Sequence, residues 1–390
     1  MLSALLFASS APSPLYVVYQ AEWDFSAITL TAVFAVYALA LLGSLLVTGS
    51  ISDHIGRRPT LFLALSVEIV AMATFGLAGG VGWLFAARVL QGVATGIAMG
   101  CISAALLDLQ PPHRPWLGAL TGAAAPMAGL ATGALITGLL VDYAPDPTAL
   151  VFWLLLGLFV VAVLVTAALP ETVEKRPGWR ASLRPRIGVP PHVRGPFVAA
   201  LPTMVATWAL GGLVLSLGPS LTVGVLGAES HLSGALPIFA LAGISSIASV
   251  LIRHVDPRTA ARGGLTAVIA GVVLVLIALE VTSNSLFLLG AAVSGLGFGP
   301  SFAGVFRSIT QMAMEDRRAE LVSSVLAVAY LAFSGPALLA GIAVTQVGLK
   351  ETAEAYAVIL IAVALVALLL SSRLEGAPAV EPAGVAAALR

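Results

Sequence analysis

Gly49-Ser50-Ile51-Ser52-Asp53-His54-Ile55-Gly56-Arg57-Arg58-Pro59-Thr60-Leu61 is a short, charged, glycine-marked segment between two long apolar runs. Residues 27–48 before it carry no charged side chain, and residues 61–80 after it carry one, Glu68. About 20 apolar residues in a helix cross a hydrocarbon core of about 30 Å. Lipid offers free backbone groups no partner, so runs of this length read as helices. The charged piece reads as a turn at a membrane face.

The same pattern extends over the whole chain. Of its 390 residues, 59% are hydrophobic and 10% charged, and the mean hydropathy is +1.03. Soluble domains carry about 25% charged residues. The fold class that follows is an all-α integral membrane protein with twelve transmembrane helices in two six-helix halves. The spans are 2–20, 27–48, 61–80, 82–107, 117–141, 148–169, 196–220, 234–252, 263–282, 285–308, 321–346 and 353–372. The formal net charge is zero, which gives no sign of nucleic-acid binding. The one cysteine, Cys101, has no partner for an intrachain disulfide and reads as a small packing residue.

Charge placement tests this count. With the amino terminus in the cytoplasm, the loops after even-numbered spans hold Arg57, Arg58, Arg114, Lys175, Arg176, Arg180, Arg184, Arg186, Arg194, Arg253, Arg258, Arg262, Arg317 and Arg318. The tail adds Arg373 and Arg390, and the opposite loops hold only Lys350 among basic residues. Basic residues mark cytoplasmic loops, and one missed span would scramble the alternation. Both termini are therefore expected in the cytoplasm. The first span starts at Met1 with no charged residue ahead of it and contains Pro12 and Pro14. It reads as a helix whose cytoplasmic start is missing rather than as a signal peptide, since no positive segment precedes its short apolar run.

Residues 1–169 form the first expected half and 196–372 the second. A Pro- and Arg-rich cytoplasmic linker, 170–195, joins them, and an Ala/Pro/Gly-rich tail, 373–390, is expected to be disordered. Six plus six spans suggest an internal duplication. Arg253-His254-Val255-Asp256-Pro257-Arg258 lies where a copy of the opening segment belongs.

No enzyme motif is present: neither a phosphate loop nor His-Glu-x-x-His occurs, and the five histidines are scattered through loops. No metal or cofactor is expected. Charged groups inside spans cost at least about 2.5–3.5 kcal/mol at a helix centre and mark function by default. Arg88 and Gln91 lie three apart on one face of the fourth span, with Gly92 and Gly96 beside them. Either Arg88 snorkels to a surface or it is buried among the helices, and the adjoining glutamine and glycines favour burial. Glu68, in the third span, is either a proton carrier or a structural hydrogen-bonding group. Asp53 and Arg57 are four apart, and Asp108 ends the fourth span at the same face. Either a carboxylate–guanidinium network of these residues latches the two halves as a cytoplasmic gate, or the segment is a simple positive-inside turn after Gly49.

These residues resemble the major facilitator superfamily over essentially the whole chain. Gly49-x-x-x-Asp53-x-x-Gly56-Arg57-Arg58 matches the family's loop signature Gly-x-Leu-Ala-Asp-Arg-x-Gly-Arg-Lys, with Ile51, Ser52 and His54 departing from it. Arg88-x-x-Gln91-Gly92 matches the signature of the fourth helix, whose arginine the family associates with proton coupling. Gly129-x-x-x-Gly133-Ala134-x-x-Thr137-Gly138 is similar to the fifth-helix signature of the drug/proton antiporter branch, with Ala134 in place of proline and Thr137 in place of a glycine.

The resemblance implies a secondary active transporter in the cell (inner) membrane. It would move a small, hydrophobic organic compound by alternating access, as efflux coupled to protons. A facilitative uniporter or importer, or a transport-inactive sensor of the same fold, are the alternatives. The resemblance assigns Gly49, Asp53, Gly56, Arg57 and Arg58 to the gate, with Asp108 added from its position at the same face, and Arg88 and Gln91 to proton coupling, with Glu68 added from its position inside the third span. Gly129, Gly133 and Gly138 fall to helix packing. Tyr16, Tyr19, Tyr37, Gln91, Trp208, Phe298, Phe302, Tyr330 and Phe333 are the cavity candidates. The expected partners are a small-molecule substrate, protons and the bilayer, with the chain as a monomer.

Overall fold

The computed structural model describes residues 1–373 except 112, 115, 174–176, 186, 315 and 316. Lys175, Arg176, Arg186, Arg390 and the rest of the tail lie outside the described residues, as does the side chain of Arg373. Among the described residues the regular structure is helical. Twelve helices are long and apolar enough to cross a membrane: α1 Leu2–Trp23, α2 Ala27–Thr48, α3 Arg57–Gly76, α4 Val81–Leu106, α5 Leu120–Tyr143, α6 Leu150–Ala168, α7 Pro191–Ser216, α8 His231–His254, α9 Pro257–Glu280, α10 Asn284–Thr310, α11 Arg318–Val347 and α12 Leu349–Ser371. Large apolar side chains such as Leu154, Leu164, Leu339, Ile359 and Leu369 stand exposed on the outer faces of α6, α11 and α12, where hydrocarbon suits them.

Several boundaries differ from the sequence expectation, each for a local reason. Helix α3 starts at Arg57, because Pro59 sits in the first turn, where a missing N–H costs nothing. Pro12 does not stop α1: the pieces Leu2–Ser10 and Pro12–Trp23 join through Ala11, which keeps helical angles. Helix α7 ends at Ser216, and Pro219 opens a separate turn of helix, Gly218–Gly224. A single residue, Gly348, separates α11 from α12 where a longer loop was expected.

The packing follows a repeat. Helix α1 lies on α5, α2 on α4, and α3 on α4 and α6; six helices later α7 lies on α11, α8 on α10, and α9 on α10 and α12. The α9–α10 seam is close because glycines face backbone: a Cβ on Gly290 would sit 2.8 Å from the Gly271 carbonyl, and one on Gly297 would overlap that of Gly264. Two pairs, α2 with α11 and α5 with α8, join the first six helices to the last six. The space between these two pairs holds the central cavity.

Candidate functional site

Chain direction defines two ends of the bundle, one carrying Arg57 and the other Asp142. At the first, the Arg57 guanidinium gathers three acceptors. It donates to Asp53 Oδ1 at 2.6 Å, to Asp108 Oδ2 at 3.2 Å and to Ser52 Oγ at 2.5 Å. Arg57 is buried, whereas the Asp53 and Asp108 side chains are 44% and 34% exposed. The pairing thus removes the cation from water and leaves its carboxylates partly in it. Ser52, where the resemblance would have placed alanine, joins the network.

Glu171 completes this end and was not picked out from the sequence. Its carboxylate accepts the backbone N–H groups of Arg57 at 2.8 Å and Arg58 at 3.1 Å, the first two free donors of α3. Burial pushes the Glu171 carboxyl up, but the N–H groups of Arg57, Arg58, Val173 and Thr172 outweigh it and hold it below the ordinary value. The cap explains Gly56. With φ +101°, Gly56 turns the chain into α3, and a Cβ there would meet Glu171 Oε2 at 2.6 Å. Arg58 points away from the network and donates to the Ala167 carbonyl at 2.6 Å. Gly49 leads into the short helix Ser52–Ile55. The described partners of this network belong to α2–α4, their connecting loop and the segment after α6.

Arg88 is buried, 1% exposed. It donates from Nε to Tyr16 Oη at 2.7 Å and from Nη1 to the Ser9 carbonyl at 2.9 Å and Gln91 Oε1 at 2.7 Å. Gln91 in turn donates to the Ala8 carbonyl at 2.9 Å. Pro12 has no N–H for the Ala8 carbonyl four residues before it, and Gln91 fills that gap. The two signature residues of α4 therefore satisfy the helix that proline leaves short of donors. Glu68 is wholly buried nearby, and neither carboxyl oxygen makes a hydrogen bond of good geometry, although Arg88 and Gln91 lie close enough to act on its charge. Tyr16 and Gln91 belong to this cluster and do not line the cavity. Tyr19 is also elsewhere, donating to the Thr148 carbonyl and stacking on Trp23.

The cavity has a volume of about 90 Å³ and is lined by α1, α2, α4, α5, α7, α8, α10 and α11. Tyr37, Trp208, Phe298, Tyr330 and Phe333 line it, and Phe302 stands behind, edge-on to Trp208 at 5.3 Å. Phe34, Met99 and Leu130 line it without having been singled out in the sequence. Trp208 packs on Tyr330 at 5.1 Å, and the Tyr330 hydroxyl reaches Met99 Sδ across the α4–α11 gap at 3.7 Å. The lining residues carry no charge. Drug-sized ligands occupy pockets of about 300–1,000 Å³, so the cavity as it stands is too small for one.

At the opposite end, Asp142 of α5 accepts from Ser230 Oγ at 2.6 Å, from the His231 and Leu232 N–H groups at 3.0 Å each, and lies 3.1 Å from His231 Nδ1. It caps α8 across the seam between the first and last six helices. A signal for Asp142 was present: a carboxylate at the C-terminal end of its own helix opposes the helix dipole and needs an outside partner. The same holds for Asp108. The three α5 glycines of the signature divide between two seams. Gly129 and Gly133 face the backbone of α1 at Ser3 and Phe7, while Gly138 faces Ala235 of α8 at 2.6 Å from an added Cβ.

The model of the Major Facilitator Superfamily matches residues 1–340. The chain belongs to the Major Facilitator Superfamily. Solved structures with the superfamily fold superpose over nearly the full length. The nucleoside transporter NupG gives a TM-score of 0.69 at 12% identity, covering 95% of this chain and 98% of that one. The human organic anion transporter MFSD10 gives 0.66 at 16% identity, covering 95% and 96%. These likenesses establish the fold. Sequence relatives match over shorter stretches. The MFS-type transporter Rv1250 of Mycobacterium tuberculosis is 35% identical over 116 residues, 29% of this chain and 20% of that protein. Polyamine transporter 2 of Saccharomyces cerevisiae is 27% identical over 127 residues, 33% and 20% respectively. The matched stretches span about a fifth of those relatives' lengths.

Proposed function

We propose that this superfamily member moves a small hydrophobic organic compound across the cell membrane by alternating access, as efflux coupled to protons. The observation that carries this reading is the small apolar cavity where α2 meets α11 and α5 meets α8, with a different polar network at each end. A site that both groups of six helices wall is one that their relative rocking would expose to either side in turn. The repeat of helix contacts at an offset of six supports treating 1–169 and 196–372 as the rocking units. The arginines at the Arg57 end and the acidic opposite end support a cytoplasmic position for both termini. The relatives' names span nucleosides, organic anions and polyamines, and that spread carries no single substrate to this chain.

Glu68, with Arg88 and Gln91, is the proposed proton site: a wholly buried carboxyl without a hydrogen-bond partner, next to a buried cation that anchors α1. A facilitative carrier is the second reading, favoured by a cavity lining without a carboxylate, histidine or basic group. Flux into proteoliposomes under an imposed pH gradient separates them. The proton-coupled reading expects uphill flux that Glu68→Gln abolishes while leaving downhill exchange. Flux that ignores the gradient supports the facilitative carrier, and no flux across a broad compound panel rejects both.

A further inference from the structure

Two buried donors at the cavity have no partner. The Tyr37 hydroxyl, on α2, lies beside the Ser9 and Thr95 side chains but makes no hydrogen bond of good geometry to either, and the Trp208 Nε1–H, on α7, has none at all. Both side chains line the cavity, and they come from opposite sides of the seam between the first and last six helices. Unpaired buried donors are uncommon in native proteins because each forfeits the hydrogen bond water would have given it, so each asks for an explanation. The other walls are aromatic and aliphatic, with Trp208, Tyr330, Phe333 and Phe34 in mutual ring contact. No carboxylate is among the lining residues to balance a cation, and behind Tyr37 the Arg88 guanidinium lies 5.1 Å from its ring, with the buried Glu68 beside it. A buried positive charge at that distance disfavours an organic cation.

We propose that the substrate is a neutral aromatic molecule bearing oxygen acceptors such as a carbonyl, and that Tyr37 and Trp208 are the residues that select it. This rests on the transport reading and names its substrate class. Rings on the molecule take the place of the cavity's own ring contacts, and its acceptors take the two unspent donors. Because one donor belongs to each side of the seam, the bound molecule ties the two sides together. The present volume requires the cavity to widen when the molecule enters.

The test is equilibrium binding to the purified full chain in detergent, with flavone as the carbonyl-bearing probe. 2-Phenylnaphthalene, of the same outline without oxygen, and tetraphenylphosphonium, a lipophilic cation, are the comparisons. Flavone is expected to bind more tightly than 2-phenylnaphthalene and not to be displaced by tetraphenylphosphonium. Trp208→Phe and Tyr37→Phe are each expected to weaken flavone about five- to tenfold while leaving 2-phenylnaphthalene unchanged. A matched melting temperature checks that the variants fold. Displacement by the cation, unchanged flavone binding in both variants, or no flavone binding would each overturn the inference. Those results leave the transport reading standing, because the flux panel tests it separately. The expected binding pattern without flux would instead keep the substrate class and reject transport.

Discussion

The α2–α3 loop and the α8–α9 loop lie six helices apart, and each sets an aspartate before an arginine at the start of a helix. They use those residues differently. In the first, Asp53 and Asp108 converge on Arg57, and the α3 N-terminus is capped from 114 residues away by Glu171. In the second, Asp256 caps its own helix by accepting the Arg258 N–H at 3.0 Å and the Thr259 N–H at 3.1 Å. The Thr259 and Arg258 N–H groups hold the Asp256 carboxyl below its ordinary value. Arg258 lines a separate void of about 70 Å³ with Thr203 and Ser308. The first loop is therefore a tertiary junction and the second a local turn. The difference comes from the partners: the first has an acid at the end of α4 and another just after α6, and it alone buries its arginine.

Five changes test this contrast. The largest expected effect is Arg57→Ala, which removes the charge-assisted hydrogen bonds to Asp53, Asp108 and Ser52 and should lower unfolding stability by about 2–3 kcal/mol, whereas Arg258→Ala should stay within about 0.5 kcal/mol. Denaturant unfolding in detergent reads both, and equal losses would erase the contrast. Gly56→Ala should cost about 1–3 kcal/mol, since it adds a strained φ and a clash with Glu171; the melting temperature checks it. Glu171→Gln should matter in a pH-dependent way. Its folded carboxyl lies below the ordinary 4.5, so its contribution is fully present above that value and is lost as pH falls through the folded one. The melting-temperature gap between wild type and Glu171→Gln should be constant above about pH 5.5 and narrow below about pH 4.5. A gap that widens on acidification would show the opposite sign. Asp256→Ala should cost about 0.5–1 kcal/mol, the loss of a local cap, seen as a small drop in melting temperature with faster amide exchange in the first turn of α9.

Much of this was legible in the sequence, for reasons that can be named. Spans are counted from local composition, so all twelve helices were found, and Asp53 and Arg57 share a helical spacing that made their pairing readable. Glu171 was not readable, because its partners are backbone groups that carry no side-chain signature and lie far away in the chain. The role of Gln91 was half visible: Pro12 announces an unpaired carbonyl at Ala8, but only the packing of α1 on α4 says which side chain answers it. Tyr16 shows the opposite limit. It lies in a helix that does line the cavity, yet its hydroxyl is committed to Arg88, and helix membership alone does not decide which way a side chain faces.

Alternating access requires the two ends to open in turn around the central cavity. The direct measurement is a pair of spin-label distances in the same liposome-reconstituted protein, with the buried Cys101 replaced by serine: Tyr143 to Glu229 at the Asp142 end and Leu109 to Leu251 at the Arg57 end. The account predicts two populations, one lengthened only at the first end and one only at the second, with Asp142→Asn shifting weight toward the first. A single distance at each end, unchanged by Asp142→Asn and by substrate, would contradict it.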